Sequence, residues 1–197
     1  EEPTAEGKDL RKDCFTNQVP ALTLGWIHQS DVFERYVKGV FVMSATNIYD
    51  ALRESHEIQR ALFRKLLRSK PGSQGRTDLF TLVRHELSAH EAAEERYLYV
   101  PMMMHDLGLE ASRHALHEHH QVDELVEHLE ELDPSGEAWI KQVKALSHKV
   151  HHHLREEETK FFQMSGKLLN AAQKTRLAGQ YRRDYLRMHQ LLTTEPL

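Results

Sequence analysis

The chain of 197 residues is long enough for one domain with a buried core, or for one domain and an appendage. Its 26 Lys and Arg against 30 Asp and Glu give a net charge of −4, unlike the basic surface of a dedicated nucleic-acid-binding protein. The single cysteine, Cys14, excludes an intrachain disulfide, and no apolar run approaches the roughly 18–20 residues of a membrane span. We therefore expect no nucleic-acid or membrane partner and a cytoplasmic location. The 15 histidines are the unusual feature of the composition.

Residues 1–42 differ from the rest of the chain, because Pro20, Gly25 and Gly39 interrupt a weak helical pattern. Met43 is followed by small and helix-capping residues directly before the first strong helical pattern, as at a translation start. We expect residues 1–42 to be a tag or upstream sequence. The alternative is an N-terminal arm that packs on the rest of the protein.

From residue 47 onward, helical patterns alternate with turn-forming clusters such as Lys70–Gly75 and Asp133–Gly136. Long helices joined by short loops are typical of antiparallel neighbours, so the sequence predicts an all-α, up-down-up-down four-helix bundle in residues 43–165. Residues 166–197 are expected to add a C-terminal helix that packs on the bundle. The predicted helices span about residues 47–69, 77–97, 110–132, 137–164 and 168–188.

The second and fourth helices each carry a histidine and a glutamate on an otherwise apolar stripe. His90 and Glu94 lie one turn apart in the second helix, and His153 and Glu157 repeat the arrangement in the fourth. The first and third helices each place one histidine on the core-facing stripe, namely His56 and His119. Most of the other histidines are expected to be solvated, including the neighbours of His153 at positions 151 and 152.

Counting from the loops indicates that the four stripe histidines lie at one height along the bundle. From Ser73 in the first loop, the histidines of the flanking helices lie 17 residues away on each side. From Ser135 in the second loop, those of the third and fourth helices lie 16 and 18 residues away. With equal rise per residue in each helix, all four imidazoles reach the same level of the core.

Four imidazoles and two carboxylates that converge in a core predict metal ions, because a metal supplies the missing partner of each buried polar group. The alternative is a metal-free network of His–Glu hydrogen bonds, which would leave several donors or acceptors unsatisfied. Zinc prefers four ligands, fewer than this set offers. Two glutamates able to bridge, with terminal imidazoles, suit a pair of iron ions better, with manganese the next choice.

The chain from Ile48 to about Gln163 resembles hemerythrin-like proteins with the HHE cation-binding domain. The resemblance rests on a lone helical histidine followed by an HxxxEE motif, and this pair of features occurs twice. The matching residues are Ser55-His56-Glu57 with His90, Glu94 and Glu95, then Glu118-His119-His120 with His153, Glu157 and Glu158.

The resemblance implies a non-heme di-iron site bridged by an oxo or hydroxo group and two carboxylates. It assigns His56, His90, His119 and His153 as terminal ligands and Glu94 and Glu157 as bridges. Respiratory members have a fifth histidine where this chain has Asp123, which argues against stable reversible O₂ carriage. Asp123, Glu91 or solvent is then expected to complete the coordination.

We expect a protein that binds O₂, NO or peroxide at two iron ions and acts in oxygen or redox sensing or in a stress response. The alternative is a di-iron enzyme that consumes peroxide, as a peroxidase or catalase does, or that oxidises and stores iron. The sequence identifies no partner protein. Because imidazoles bind metal in their neutral form, we expect iron to be lost as the pH falls through their titration range.

Overall fold

The computed structural model describes residues 47–194, and these residues form helices joined by short turns. Two of the helices continue through single π-helical turns, at Glu95–Tyr99 and Glu157–Phe161. The α-helices are α1 (Ile48–Leu66), α2 (Gln74–Glu94), α3 (Val100–Met103), α4 (Asp106–Glu130), α5 (Glu137–Glu156), α6 (Phe162–Leu168) and α7 (Ala171–Thr194).

Capping residues set the beginnings of the first two helices. The Asn47 side chain accepts hydrogen bonds from two backbone amides of the first turn of α1, and Ser73 accepts one from the Arg76 amide of α2. The second helix therefore begins at Gln74, earlier than the Thr77–Asp78 start that the sequence predicted. Gly72 has a φ of 63° in the preceding turn, a conformation that glycine adopts at no steric cost.

The corner between α3 and α4 is tightly packed. The α2 helix continues through its π-helical turn into α3, so Pro101 lies inside the helix rather than ending it. At Gly108 a Cβ atom would lie 2.3 Å from the Met102 carbonyl oxygen, so this position requires glycine. The close approach lets α4 begin at Asp106, four residues before the predicted start at 110.

The helices α1, α2, α4 and α5 form the bundle, and α7 packs on α1 and α2. Two apolar clusters fill the interior, one around Leu52, Tyr99 and Tyr181 and the other around Val122 and Val150. Along their helices His56 and His119 lie between residues of the two clusters, and His90 and His153 lie near the point where one cluster follows the other. The core therefore has a polar layer enclosed by apolar side chains above and below.

The predicted fold class is confirmed: within the described residues the protein is an all-helical bundle with an additional C-terminal helix. The fourth predicted helix continues past its expected end at about residue 164 and ends at Leu168 after its π-helical turn. In residues 47–194 there is no helix with the length and apolar character to cross a membrane. The predictions for residues 1–42 lie outside the described residues, and the division of the chain at 43–165 and 166–197 stays a prediction.

Candidate metal centre

Two groups of three side chains in the polar layer have the geometry of metal sites. One consists of His56, His90 and Glu94, and the other of Glu94, His119 and His153. Within each group the candidate ligand atoms lie within 4.8 Å of one another, and all the residues are buried. The two groups share Glu94, whose Oε2 lies 3.3 Å from His90 Nε2 and 3.6 Å from His119 Nε2.

The sixth predicted ligand, Glu157, lies beside the first group. Its Oε2 is 3.3 Å from His56 Nε2, and its side chain is 2% exposed. Four atoms at this centre have no hydrogen-bond partner among the described residues: His56 Nε2, His90 Nε2, Glu94 Oε1 and Glu157 Oε2. Leaving such groups buried and unsatisfied costs about 1–3 kcal/mol each, and a bound cation would satisfy them together.

The imidazoles of the two lone histidines are oriented by the second glutamate of the opposite HxxxEE motif. His56 Nδ1 donates to Glu158 Oε1 at 2.7 Å, and His119 Nδ1 donates to Glu95 Oε1 at 3.0 Å. A hydrogen bond at Nδ1 fixes the ring and directs Nε2 to the centre, as is common for metal-ligating histidines.

The imidazoles of the two motif histidines are supported by the residue that precedes each lone histidine. His153 Nδ1 donates to Glu118 Oε2 at 3.0 Å, and Glu118 Oε1 accepts from Lys149 at 2.9 Å. His90 Nδ1 lies 2.7 Å from Ser55 Oγ and 2.9 Å from the Tyr181 hydroxyl, which comes from α7. All four Nδ1 atoms are therefore engaged, and all four Nε2 atoms face the centre.

The two π-helical turns adjoin the two central glutamates. One follows Glu94 directly and the other starts at Glu157. Such turns are frequent at functional sites because the additional residue re-aims a side chain. The first turn ends at Tyr99, whose hydroxyl lies 2.9 Å from both Glu94 Oε2 and Glu157 Oε1. Tyr99 therefore joins the two carboxylates that the sequence predicted as bridges.

The buried charges of this cluster shift the pKa values of its members. Burial opposes the charge of His56, but the Glu157 and Glu158 carboxylates beside its ring raise its pKa to about 9. The pKa of His119 is well above its usual value, since the nearby glutamates outweigh burial. Burial and the Glu94 charge raise the pKa of Glu157 to about 8, while burial lowers that of His153 to about 4. A cation that binds at Nε2 must displace the imidazolium protons, so metal affinity rises with pH.

All six predicted ligand residues lie in this layer, but the proposed additional ligands do not join them. Asp123 is exposed, and neither Asp123 nor Glu91 belongs to a three-residue metal group, although Glu91 is buried. The predicted solvated histidines at 117, 120, 148 and 152 are exposed, and His151 is half-buried with Nδ1 donating to the Ser147 carbonyl.

The sequence prediction assigned no role to Ser55, Glu95, Glu118 and Glu158, although all four lie in the repeated motifs, and it did not include the phenols. The second glutamate of the HxxxEE motif recurs in both halves of the chain, whereas the residue before the lone histidine is serine in one half and glutamate in the other.

A cavity of about 330 Å³ lies between α4 and the end of α5. His153 and Glu157 form part of its wall, so it borders two of the predicted ligand residues. Glu110, His114 and Lys160 also line it, and the apolar side chains in its wall are Leu107, Ala111, Ala115, Phe161 and Met164. The cavity is large enough to admit small molecules to the buried ligands.

Comparisons with known proteins concern the family and the fold. Residues 47–165 match the family model described as the hemerythrin HHE cation binding domain. A crystal structure of a hemerythrin HHE cation binding domain-containing protein from Mycobacterium kansasii is similar, with a TM-score of 0.67 and 22% identity over 74% of this chain and 88% of that chain. This likeness concerns the fold. A DNA nickase of Nostoc sp. is 27% identical over 146 residues, or 74% of this chain, and the chain spans 41% of that protein's length.

Proposed function

The chain belongs to the hemerythrin HHE cation-binding domain family, and from that premise we propose that its polar layer holds two iron ions. His56 and His90 would bind one ion and His119 and His153 the other, with Glu94 shared between them. Glu157 would be the second bridge. The main support is the set of buried Nε2 and carboxylate oxygen atoms that face one another without hydrogen-bond partners. Manganese and zinc are less suitable, since six His and Glu ligands around two open sites fit iron best.

We propose that this centre binds O₂, NO or peroxide in oxygen or redox sensing or in a stress response. Bound iron would supply a Lewis acid and a one-electron redox couple. The six ligand residues are more than one closed tetrahedral site needs, but they do not fill the coordination positions of two octahedral ions. Asp123, which was expected to complete the coordination, is exposed. A small molecule can therefore take a remaining position at the centre.

The protein's own residues prepare the site for such a ligand. The four Nδ1 hydrogen bonds hold the imidazoles in one orientation, and the apolar clusters on both sides exclude bulk water. Burial and the charges of Glu157 and Glu94 keep the pKa of Tyr99 well above its usual value, so its phenol remains protonated. Tyr99 thus holds a proton between the two carboxylates, where it can be donated to a reduced oxygen ligand.

Consumption of peroxide is the second candidate function, and the cavity beside His153 and Glu157 favours it. A surface cavity whose wall includes two of the proposed ligands suits a reactant that is admitted and replaced repeatedly. Tyr99 adds a proton donor, which reductive cleavage of an O–O bond requires. Storage of oxidised iron would need further iron positions, and within residues 47–194 the groups with metal-site geometry are limited to the two that share Glu94.

The location and partners proposed for the chain follow its composition. We propose a cytoplasmic protein, consistent with a single cysteine and no disulfide. A nucleic-acid partner is not proposed, because the net charge is −4 and the chain spans 41% of the DNA nickase.

The test begins with anaerobic loading of the protein with ferrous iron and measurement of iron per chain. We expect two iron ions per chain, and on exposure to air a charge-transfer absorption band. A persistent oxygenated spectrum without turnover would favour binding or sensing, whereas rapid loss of added peroxide would favour the enzyme. Glu94→Ala should lose both the iron and the spectrum, while His120→Ala, which removes an exposed histidine, should retain them. Iron content near zero in a folded wild-type protein would overturn the proposal.

A further inference from the structure

The C-terminal helix α7 lies beyond the residues that match the family model, yet it reaches the metal centre. Tyr181 on α7 is 0% exposed, and its hydroxyl lies 2.9 Å from His90 Nδ1 and 2.8 Å from Ser55 Oγ. If His90 binds metal through Nε2, its Nδ1 carries the proton and donates toward these two oxygens. The Tyr181 ring is therefore one hydrogen bond away from a metal ligand.

A second buried tyrosine extends this contact along the same helix. Tyr185 lies one turn further along α7, is 0% exposed, and its ring centroid lies 5.8 Å from that of Tyr181 with the planes 27° apart. His189 follows one turn later, with its ring 4.6 Å from Tyr185. A continuous row of aromatic rings thus leads away from His90. His189 at its outer end is 2% exposed, and the next residue along α7, Gln190, is exposed.

The Tyr185 phenol has a partner that can accept its proton. Its hydroxyl donates to Glu86 Oε2 at 2.6 Å, and His189 Nε2 lies 3.1 Å from the same oxygen. Glu86 is 0% exposed, and its other oxygen, Oε1, has no hydrogen-bond partner among the described residues. A buried phenol can be oxidised only when its proton has somewhere to go, because the phenol radical cation is a very strong acid. Tyr185 meets this requirement, whereas the Tyr181 hydroxyl faces a serine and an imidazole.

We propose that Tyr181 and Tyr185 form an electron relay that supplies the metal centre from the surface near His189. An electron leaves Tyr185, crosses the Tyr181 ring and reaches the centre through His90, while the phenol proton moves to Glu86. A one-electron donor of the ascorbate or hydroquinone class then reduces the Tyr185 radical, Glu86 returns its proton, and the donor releases its own proton to solvent. Two such transfers and two solvent protons convert one peroxide into two waters. The relay rests on the proposed function, and in it α7 carries the electrons that reduce the metal centre.

The test is a freeze-quench EPR experiment on the full chain. Iron-loaded protein in its oxidised form is mixed with hydrogen peroxide without a reductant, and the free-radical signal is recorded. Tyrosine with deuterated ring positions identifies the radical by the collapse of its hyperfine splitting. We expect a tyrosine radical in the wild type, at least tenfold less of it in Tyr185→Phe and Tyr181→Phe, and its rapid loss on addition of ascorbate.

Matched variants separate the relay from other effects. Tyr185→Phe touches no proposed ligand, and Glu86→Gln keeps the phenol but weakens its proton acceptor, so both should lower the radical yield with iron content unchanged. Tyr49→Phe removes another buried phenol, one that hydrogen-bonds Ser165, and should leave the yield unchanged. Iron-loaded wild type without a tyrosine radical, or an undiminished radical in Tyr185→Phe, overturns the relay alone. A wild type that binds no iron overturns the metal centre and the relay with it.

Discussion

Replacement of Glu158 by glutamine tests whether the carboxylates behind the imidazoles tune the metal centre. Glu158 Oε1 accepts from His56 Nδ1 at 2.7 Å and from Arg60 at 2.9 Å. The substitution therefore removes the negative charge from these hydrogen bonds but preserves the shape of the side chain. The carboxylate is ionised at neutral pH, since its partners His56 and Arg60 outweigh burial and lower its pKa to about 2.

The change in iron affinity expected for Glu158→Gln follows from two effects of opposite sign. Loss of an outer carboxylate on a ligating histidine costs about 10–100-fold in metal affinity, or about 1.4–2.7 kcal/mol. The Glu158 side chain is 23% exposed, so solvent screening places the effect near the lower end, about tenfold. The substitution also lowers the pKa of His56 from about 9, which weakens the competing proton. We expect the metal effect to dominate at pH 8, where this competition is weaker than at pH 7.

The assay is anaerobic calorimetric titration with ferrous iron at pH 8, which resolves the two binding events. Glu158→Gln should lower the affinity for the ion at His56 and His90 about tenfold. Glu95 makes a longer and more exposed hydrogen bond to His119, so Glu95→Gln should lower the affinity for the other ion less. Glu156→Gln removes the same charge from a side chain that pairs with Lys160, so it should bind both ions as the wild type does. Tighter binding by Glu158→Gln, or equal weakening in all three variants, would show that the carboxylates behind the imidazoles do not tune the metal centre.

Three further outcomes test other parts of the structure. Glu94→Gln should weaken both ions together, measured as iron per chain after dialysis, because one oxygen of Glu94 faces a histidine of each group. Gly108→Ala should lower the free energy of unfolding in urea by about 1–3 kcal/mol, because its Cβ would overlap the Met102 carbonyl. Burial lowers the pKa of His85 to about 4, below its value of about 6.5 in the unfolded chain, so the wild type should lose stability as the pH falls from 6.5 to 4. His85→Gln should flatten that part of the urea-midpoint profile, and an unchanged slope would contradict the assignment.

Periodicity and loop spacing were sufficient to predict the helical bundle and the convergence of the six polar residues. His56, His90, His119 and His153 interrupt apolar stripes, and equal distances from Ser73 and Ser135 bring them to one height. The helix ends were less accurate, because the Ser73 cap, the close contact at Gly108 and the π-helical turns depend on hydrogen bonds and contacts between segments.

The role of the C-terminal helix could not be read from its sequence. Tyr181 and Tyr185 lie on an apolar face of α7, and such a face predicts burial but not the helix it covers. Docking of α7 on α1 and α2 brings Tyr181 to His90, a contact between residues 91 positions apart. Local pattern carries no information about that pairing, which is why both phenols were missed.

The sequence repeat relates the two halves of the centre, but the groups that hydrogen-bond the Nδ1 atoms of the four histidines differ in chemistry. Carboxylates support His56, His119 and His153, whereas the hydroxyls of Ser55 and Tyr181 support His90. A neutral partner leaves the His90 imidazole a weaker donor, so on the proposed assignment the ion at His56 and His90 is the more readily reduced.

That ion is also the one beside the tyrosines of α7, while the wall of the surface cavity contains His153, a proposed ligand of the other ion, and Glu157, the proposed second bridge. Electrons and the small-molecule ligand would therefore reach the centre from different sides. A site used for simple reversible binding has no need of this separation. A site that reduces its ligand benefits from it, because reductant and ligand do not compete for one entrance.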